Sequence, residues 1–72
     1  MTETWKLDDN YYAIYSEDRK VWVSIQRYHK KRGWVEMALY YYPNGKLKGK
    51  QFRLPNDRNN RSIAKRLCTK SA

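Results

Sequence analysis

The sequence predicts a small α+β domain: a three- or four-stranded antiparallel sheet followed by one C-terminal helix packed on one face, in the order ββββα. Three observations lead there. Segments rich in Tyr, Trp, Val and Ile recur between charged or Gly/Pro/Asn clusters, which is the composition of short strands. The run Pro43-Asn44-Gly45-Lys46 spells a hairpin turn. After Pro55 the pattern changes to a helical stripe, with Ile63 and Leu67 four residues apart and Ala64 and Cys68 widening it.

Taken in order, Asn10 to Ser16 predicts a first strand and Lys20 to Tyr28 a second. In the second, Val21, Val23 and Ile25 would face the core while Trp22, Ser24, Gln26 and Tyr28 face the other way. Glu17-Asp18-Arg19-Lys20 reads as the turn between the two. Trp34 to Tyr42 predicts a third strand, reached through a charged connection, His29 to Gly33, whose glycine suits a left-handed position. Lys46 to Leu54 predicts a fourth, antiparallel to the third. Its early lysines break the alternation, so either Gly49 marks a bulge or the hairpin overhangs the sheet as a basic arm anchored by Phe52 and Leu54. Pro55 ends the sheet, and Asn56 or Asp57 caps a helix running to about Thr69.

Length and charge bound the function. The chain has 72 residues with 16 Lys or Arg against 7 Asp or Glu, a net charge of +9, and is 40% hydrophobic. That supports one compact domain, placed at residues 9–69 between an acidic, poorly ordered leader (1–8) and a short tail (70–72). Eleven aromatic residues argue that it folds. No apolar run approaches the length of a membrane span, and the first residues lack the order of a secretory signal. An intracellular protein, cytoplasmic or nucleoid/nuclear, is expected. One cysteine and one histidine offer neither a disulfide nor a metal-ligand pattern, so no cofactor or metal is expected. No paired carboxylates or phosphate loop suggest catalysis, and the reading is of a non-enzyme. His29 reads as a surface residue and Cys68 as a small hydrophobe on the helix stripe.

The charge is uneven. Residues 1–18 sum to −4, whereas residues 19–72 hold fifteen basic groups against Glu36 and Asp57 and sum to +13. A polycation of this kind suits a polyanionic partner.

In the predicted fold the face not covered by the helix carries Trp22, Tyr28, Trp34, Tyr40 and Tyr42. Lys30, Lys31 and Arg32 stand at one end of it, and Lys46, Lys48 and Lys50 at the other. Aromatic rings rimmed by cations match what nucleic acid requires, rings for bases and cations for phosphates. Arg53, Arg58, Arg61, Lys65 and Arg66 form a second candidate phosphate region. In a duplex-binding alternative, Gln26, Arg27 or Arg53 would read base edges from a β-ribbon in the major groove. The expected partner is therefore DNA or RNA, with DNA favoured. The competing reading is a small regulator or inhibitor docked on an acidic protein surface. The same rings could also form the second half of a closed barrel or a homodimer interface, and a dimer is compatible with nucleic-acid binding because it could place two basic rims alongside one duplex.

The run Lys20 to Tyr28, the basic strand around Lys48 to Leu54 and the closing helix together resemble the sheet-then-helix order of the positive-cofactor-4 family of single-strand-binding coactivators. That resemblance spans roughly residues 20–68. It implies a β surface for unpaired DNA and a dimer. It is a likeness of element order, with no diagnostic motif, and assigns no family.

Overall fold

A computed structural model describes residues 1–70. The strands are β1 (Thr2–Lys6), β2 (Tyr11–Ser16), β3 (Val35–Tyr41) and β4 (Leu47–Pro55), and the helices are α1 (Arg19–Ser24) and α2 (Arg58–Lys70). The expected tail lies outside the described residues apart from Lys70, which closes α2. The order is thus ββαββα, a four-stranded antiparallel sheet with one internal and one C-terminal helix, and the predicted ββββα order is wrong.

The error sits at Lys20 to Tyr28, which is helical. Asp18, read as part of a β-turn, is an N-cap: its Oδ1 accepts from the Lys20 amide at 2.9 Å and its carbonyl from those of Val21 and Trp22. The helical backbone continues past α1 through a π turn (Ile25–His29) and a 3-10 turn (Lys30–Arg32). Both periodicities are written into this segment. A strand would bury Val21, Val23 and Ile25; the helix buries Val21, Trp22 and Ile25 and leaves Val23 43% exposed. Burying the larger Trp22, whose indole N–H also reaches the Ser16 carbonyl at 2.6 Å, favours the helix. Gly33 ends the segment at φ 86°, its N–H donating to the Lys30 carbonyl, so its left-handed backbone closes a helix and not a hairpin. A side chain there would also meet the Pro55 ring. With a helix in place of the second strand, the resemblance to the single-strand-binding coactivators loses the element order that carried it.

The displaced strand is made up from the acidic leader. Thr2 and Thr4 alternate with Glu3 and Trp5 along β1, where the Thr4 hydroxyl donates to the Ala13 carbonyl at 2.7 Å and Thr2 pairs with the Ser16 hydroxyl at 2.8 Å. Asp8 makes the turn into β2, its Oδ1 accepting from the amides of Asn10 and Tyr11. One of the leader's acids, Asp8, thus builds a turn, and the other, Glu3, stands in β1.

The sheet order is β1-β2-β4-β3, all neighbours antiparallel. α1 therefore belongs to a crossover from β2 to β3, which run parallel with β4 between them. The β3–β4 hairpin turns as its sequence spells: Tyr42 and Lys46 close it, Gly45 takes φ 86°, and Asn44 Oδ1 accepts from the Lys46 amide. It pairs out to Tyr41 and Leu47, past the end of β2 at Ser16, and it carries irregularities between Glu36 and Ala38 and between Tyr40 and Tyr41.

One face of the sheet is covered. Ile14, Phe52 and Leu54 pack there with Val21, Trp22 and Ile25 from the first helical segment, Trp34, and Ile63 and Ala64 from α2. α2 starts where Asp57 caps it through the Asn60 amide at 2.8 Å. The stripe read from the sequence, Ile63 and Ala64 with Leu67 and Cys68, is the face that packs.

Candidate nucleic-acid interface

Among the described residues no helix lies over the opposite face of the sheet, and the strand register decides which side chains share it. Trp5, Ala13, Arg53 and Val35 form one row across the four strands; Glu3, Tyr15, Gln51 and Ala38 form the next. Tyr40 follows beside Gly49, and Tyr11 lies two residues from Ala13 on β2. Ala13, whose register partners are Trp5 and Arg53, is fully buried on this face.

Tyr15 organises one half of this surface. Its ring meets that of Tyr40 edge to face, centroids 5.4 Å apart, and the Tyr40 hydroxyl pairs with Gln51 Oε1 at 2.8 Å. The Tyr15 hydroxyl donates to Glu17 Oε2 at 2.9 Å, and Lys48 approaches the same oxygen while standing 6.0 Å from the Tyr42 ring. Burial and then the Glu17 carboxylate push the Tyr15 phenol up to about 12. It is therefore a neutral donor across the physiological range.

Arg53 organises the other half. Its guanidinium stacks 4.2 Å from the Tyr11 ring centre, its Nε is buried without a hydrogen-bond partner, and it makes no ion pair among the described residues. An unneutralised, ring-backed cation in the middle of a sheet is equipped to meet an anion or a base edge. Rings in both halves of the face are accessible: Trp5 is 37% exposed, Tyr40 43% and Tyr42 47%.

This surface differs from the one read from the sequence. Trp22 and Trp34 are in the core, Trp34 only 2% exposed, with its indole N–H donating to Asn60 Oδ1. Gln26, Arg27 and Tyr28 are exposed on the helical segment, and Lys30, Lys31 and Arg32 form its last turn. Lys46 lies at the hairpin tip and Lys48 beside it. Lys50 turns to the helix side, 3.4 Å from Glu36 and 5.5 Å from the Trp22 ring. Arg58, Arg61 and Lys65 are on α2, where Arg61 lies 5.9 Å from the Tyr12 ring. Of the predicted residues, the structure brings Tyr40, Tyr42, Lys48 and Arg53 together on the uncovered side and gives most of the others to the helix layer. Trp5, Tyr11 and Tyr15 were missed as site residues. Their signal was present in the alternation of Glu3/Trp5 and of Tyr11/Ala13/Tyr15, but it becomes a site only once β1 and β4 flank β2.

Among the described residues no helix is long and apolar enough to cross a membrane. Comparison with family models, with curated proteins and with solved structures finds no match for this chain.

Proposed function

We propose that the chain is a small, non-catalytic, intracellular nucleic-acid-binding protein, cytoplasmic or nucleoid/nuclear, that holds single-stranded nucleic acid, DNA ahead of RNA, on the uncovered face of its sheet. The observation that supports this is Arg53, without an ion pair among the described residues and stacked on Tyr11, on the same face of the sheet as Trp5, Tyr15, Tyr40 and Tyr42. Bases stack on such rings irrespective of sequence, each worth about 1–3 kcal/mol. Glu3, directly across from Tyr15, repels a phosphate backbone from its own end of β1, so the nucleic acid runs from Trp5 and Arg53 across to the β3–β4 side toward Lys48 and Lys46. The net charge of +9 adds long-range attraction.

The test is a fluorescence titration with single-stranded DNA, single-stranded RNA and duplex DNA over a salt series. Trp5 is the reporter, since Trp22 and Trp34 are buried. Saturable quenching is expected to be strongest for single strands, with log K falling against log salt by about 0.7 per phosphate neutralised. Absence of binding at low salt, or a slope near zero, overturns the reading. Equal affinity for an acidic polypeptide, without quenching, would point to an acidic protein surface instead.

A further inference from the structure

On the helix side, away from the aromatic face, a groove of about 340 Å³ runs between the first helical segment and α2. His29 and Arg32 line it from one side and Asn59 and Arg66 from the other, over a floor of Ile63 and Leu67. That is ample room for a phosphate group. Arg32 also borders the adjoining hollow at the start of α2, with Arg58.

Three features give this groove a ligand preference. Neither Arg32 nor Arg66 makes an ion pair among the described residues. The acid in the adjoining hollow, Asp57, is committed elsewhere: its Oδ1 accepts from the Asn60 amide and its Oδ2 from Asn60 Nδ2. His29 Nδ1 is buried without a hydrogen-bond partner, its ring held against Trp34 with centroids 4.9 Å apart. Two guanidinium groups thus share a groove with an imidazole and no acid, an arrangement whose mutual repulsion an oxyanion relieves and whose donors it satisfies.

We propose that this groove is a phosphate-binding site, with Arg32 and Arg66 as its charged arms, His29 as a hydrogen-bonding wall and Asn59 as a polar neighbour. The site does not depend on the reading of the sheet face. The phosphate is either a backbone phosphodiester or a free or terminal phosphoryl group, since the recognising chemistry is the same.

The experiment is an amide-resolved NMR titration of the full chain with inorganic phosphate at constant ionic strength, chloride serving as the balancing anion. Saturable shifts are expected at Ser24, His29, Asn59 and Arg66, and Arg32→Gln or Arg66→Gln should weaken the affinity at least tenfold. Both arginines are exposed, so these variants keep the fold. Arg53→Gln, on the other side of the sheet, should leave phosphate binding unchanged while weakening oligonucleotide binding, which separates failure of this site from failure of the sheet face. Shifts that do not saturate, that chloride reproduces, or that survive both groove substitutions overturn the proposal. Competition by an oligonucleotide lacking terminal phosphates identifies the phosphodiester as the source; competition only by a nucleoside monophosphate identifies a terminal or free phosphoryl group.

Discussion

The indole of Trp34 donates to Oδ1 of Asn60 at 3.0 Å, a buried bond that ties the entry to β3 to the first turn of α2 across twenty-six residues of chain. Asn60 is otherwise fully engaged: its Nδ2 donates to the Pro55 carbonyl at 3.2 Å and to Asp57 Oδ2 at 2.9 Å. One 4%-exposed amide therefore joins the end of β4, the helix cap and the core. Asn60→Leu strands the Trp34 N–H in the interior. It should cost about 2–3 kcal/mol in urea unfolding, the size expected for a buried donor left unpaired. A cost below about 0.5 kcal/mol would mean that the bond does not hold the helix.

Gly49 lies under the phenol of Tyr15, where an added Cβ would stand 2.5 Å from the hydroxyl oxygen and 2.6–2.7 Å from the nearest ring carbons. Gly49→Ala must push Tyr15 away from Tyr40 and Glu17. A loss of about 1–3 kcal/mol is expected, typical of overpacking. The same variant should lower the Tyr15 phenol from about 12 toward its ordinary value of 10.0, followed by tyrosinate absorbance. An unchanged titration would show that burial by this contact is not its cause.

His29 is held below its ordinary 6.5 by burial and then by Arg32 and Arg66. A base whose folded pKa is depressed binds fewer protons folded than unfolded, so its stabilisation is complete above about pH 6.5. It is lost as pH falls below that value toward the folded pKa. Thermal melts should show stability declining from pH 7 to pH 5, and His29→Gln should remove part of that decline. An identical profile in the variant would assign it to other groups.

Trp5→Ala and Arg53→Ala should each weaken single-strand binding by roughly 5- to 150-fold, the equivalent of about 1–3 kcal/mol per stacked base. Their effect on duplex should be smaller. Trp5→Ala with unchanged oligonucleotide affinity would remove β1 from the interface.

Val23 separates the strand from the helix. As a strand residue it would sit in the core, and Val23→Lys would unfold the domain; on α1 it is 43% exposed. Circular dichroism should show Val23→Lys folded within about 0.5 kcal/mol of the parent, whereas Trp22→Ala should lose about 3–5 kcal/mol.

The elements legible in the sequence were those whose signals agree. Proline, asparagine and glycine at 43–45 each demand the same turn, and the Ile63/Leu67 spacing after the Asp57 cap admits only a helix. Residues 19–32 were misread because Val21, Val23 and Ile25 alternate as well as Val21, Trp22 and Ile25 spiral, and local pattern cannot say whether Trp22 or Val23 has a core to enter. β1 was missed because Thr2, Glu3 and Thr4 bury little by themselves and gain their place from hydrogen bonds to β2.

By itself, then, the sequence determined a basic, aromatic-rich chain with an antiparallel β3–β4 hairpin, a capped C-terminal helix and a sheet with one face left uncovered. Only the tertiary structure decided which rings occupy that face and where the cations go. Side-chain direction in a strand follows register, and register follows from which strands are neighbours. Trp22 went to the core because its segment coiled into a helix, and once β4 inserted between β2 and β3 the sheet set Trp5, Tyr11 and Tyr15 on the same uncovered face as Arg53. The same topology put Arg32 and Arg66 in one groove although they are distant in the chain.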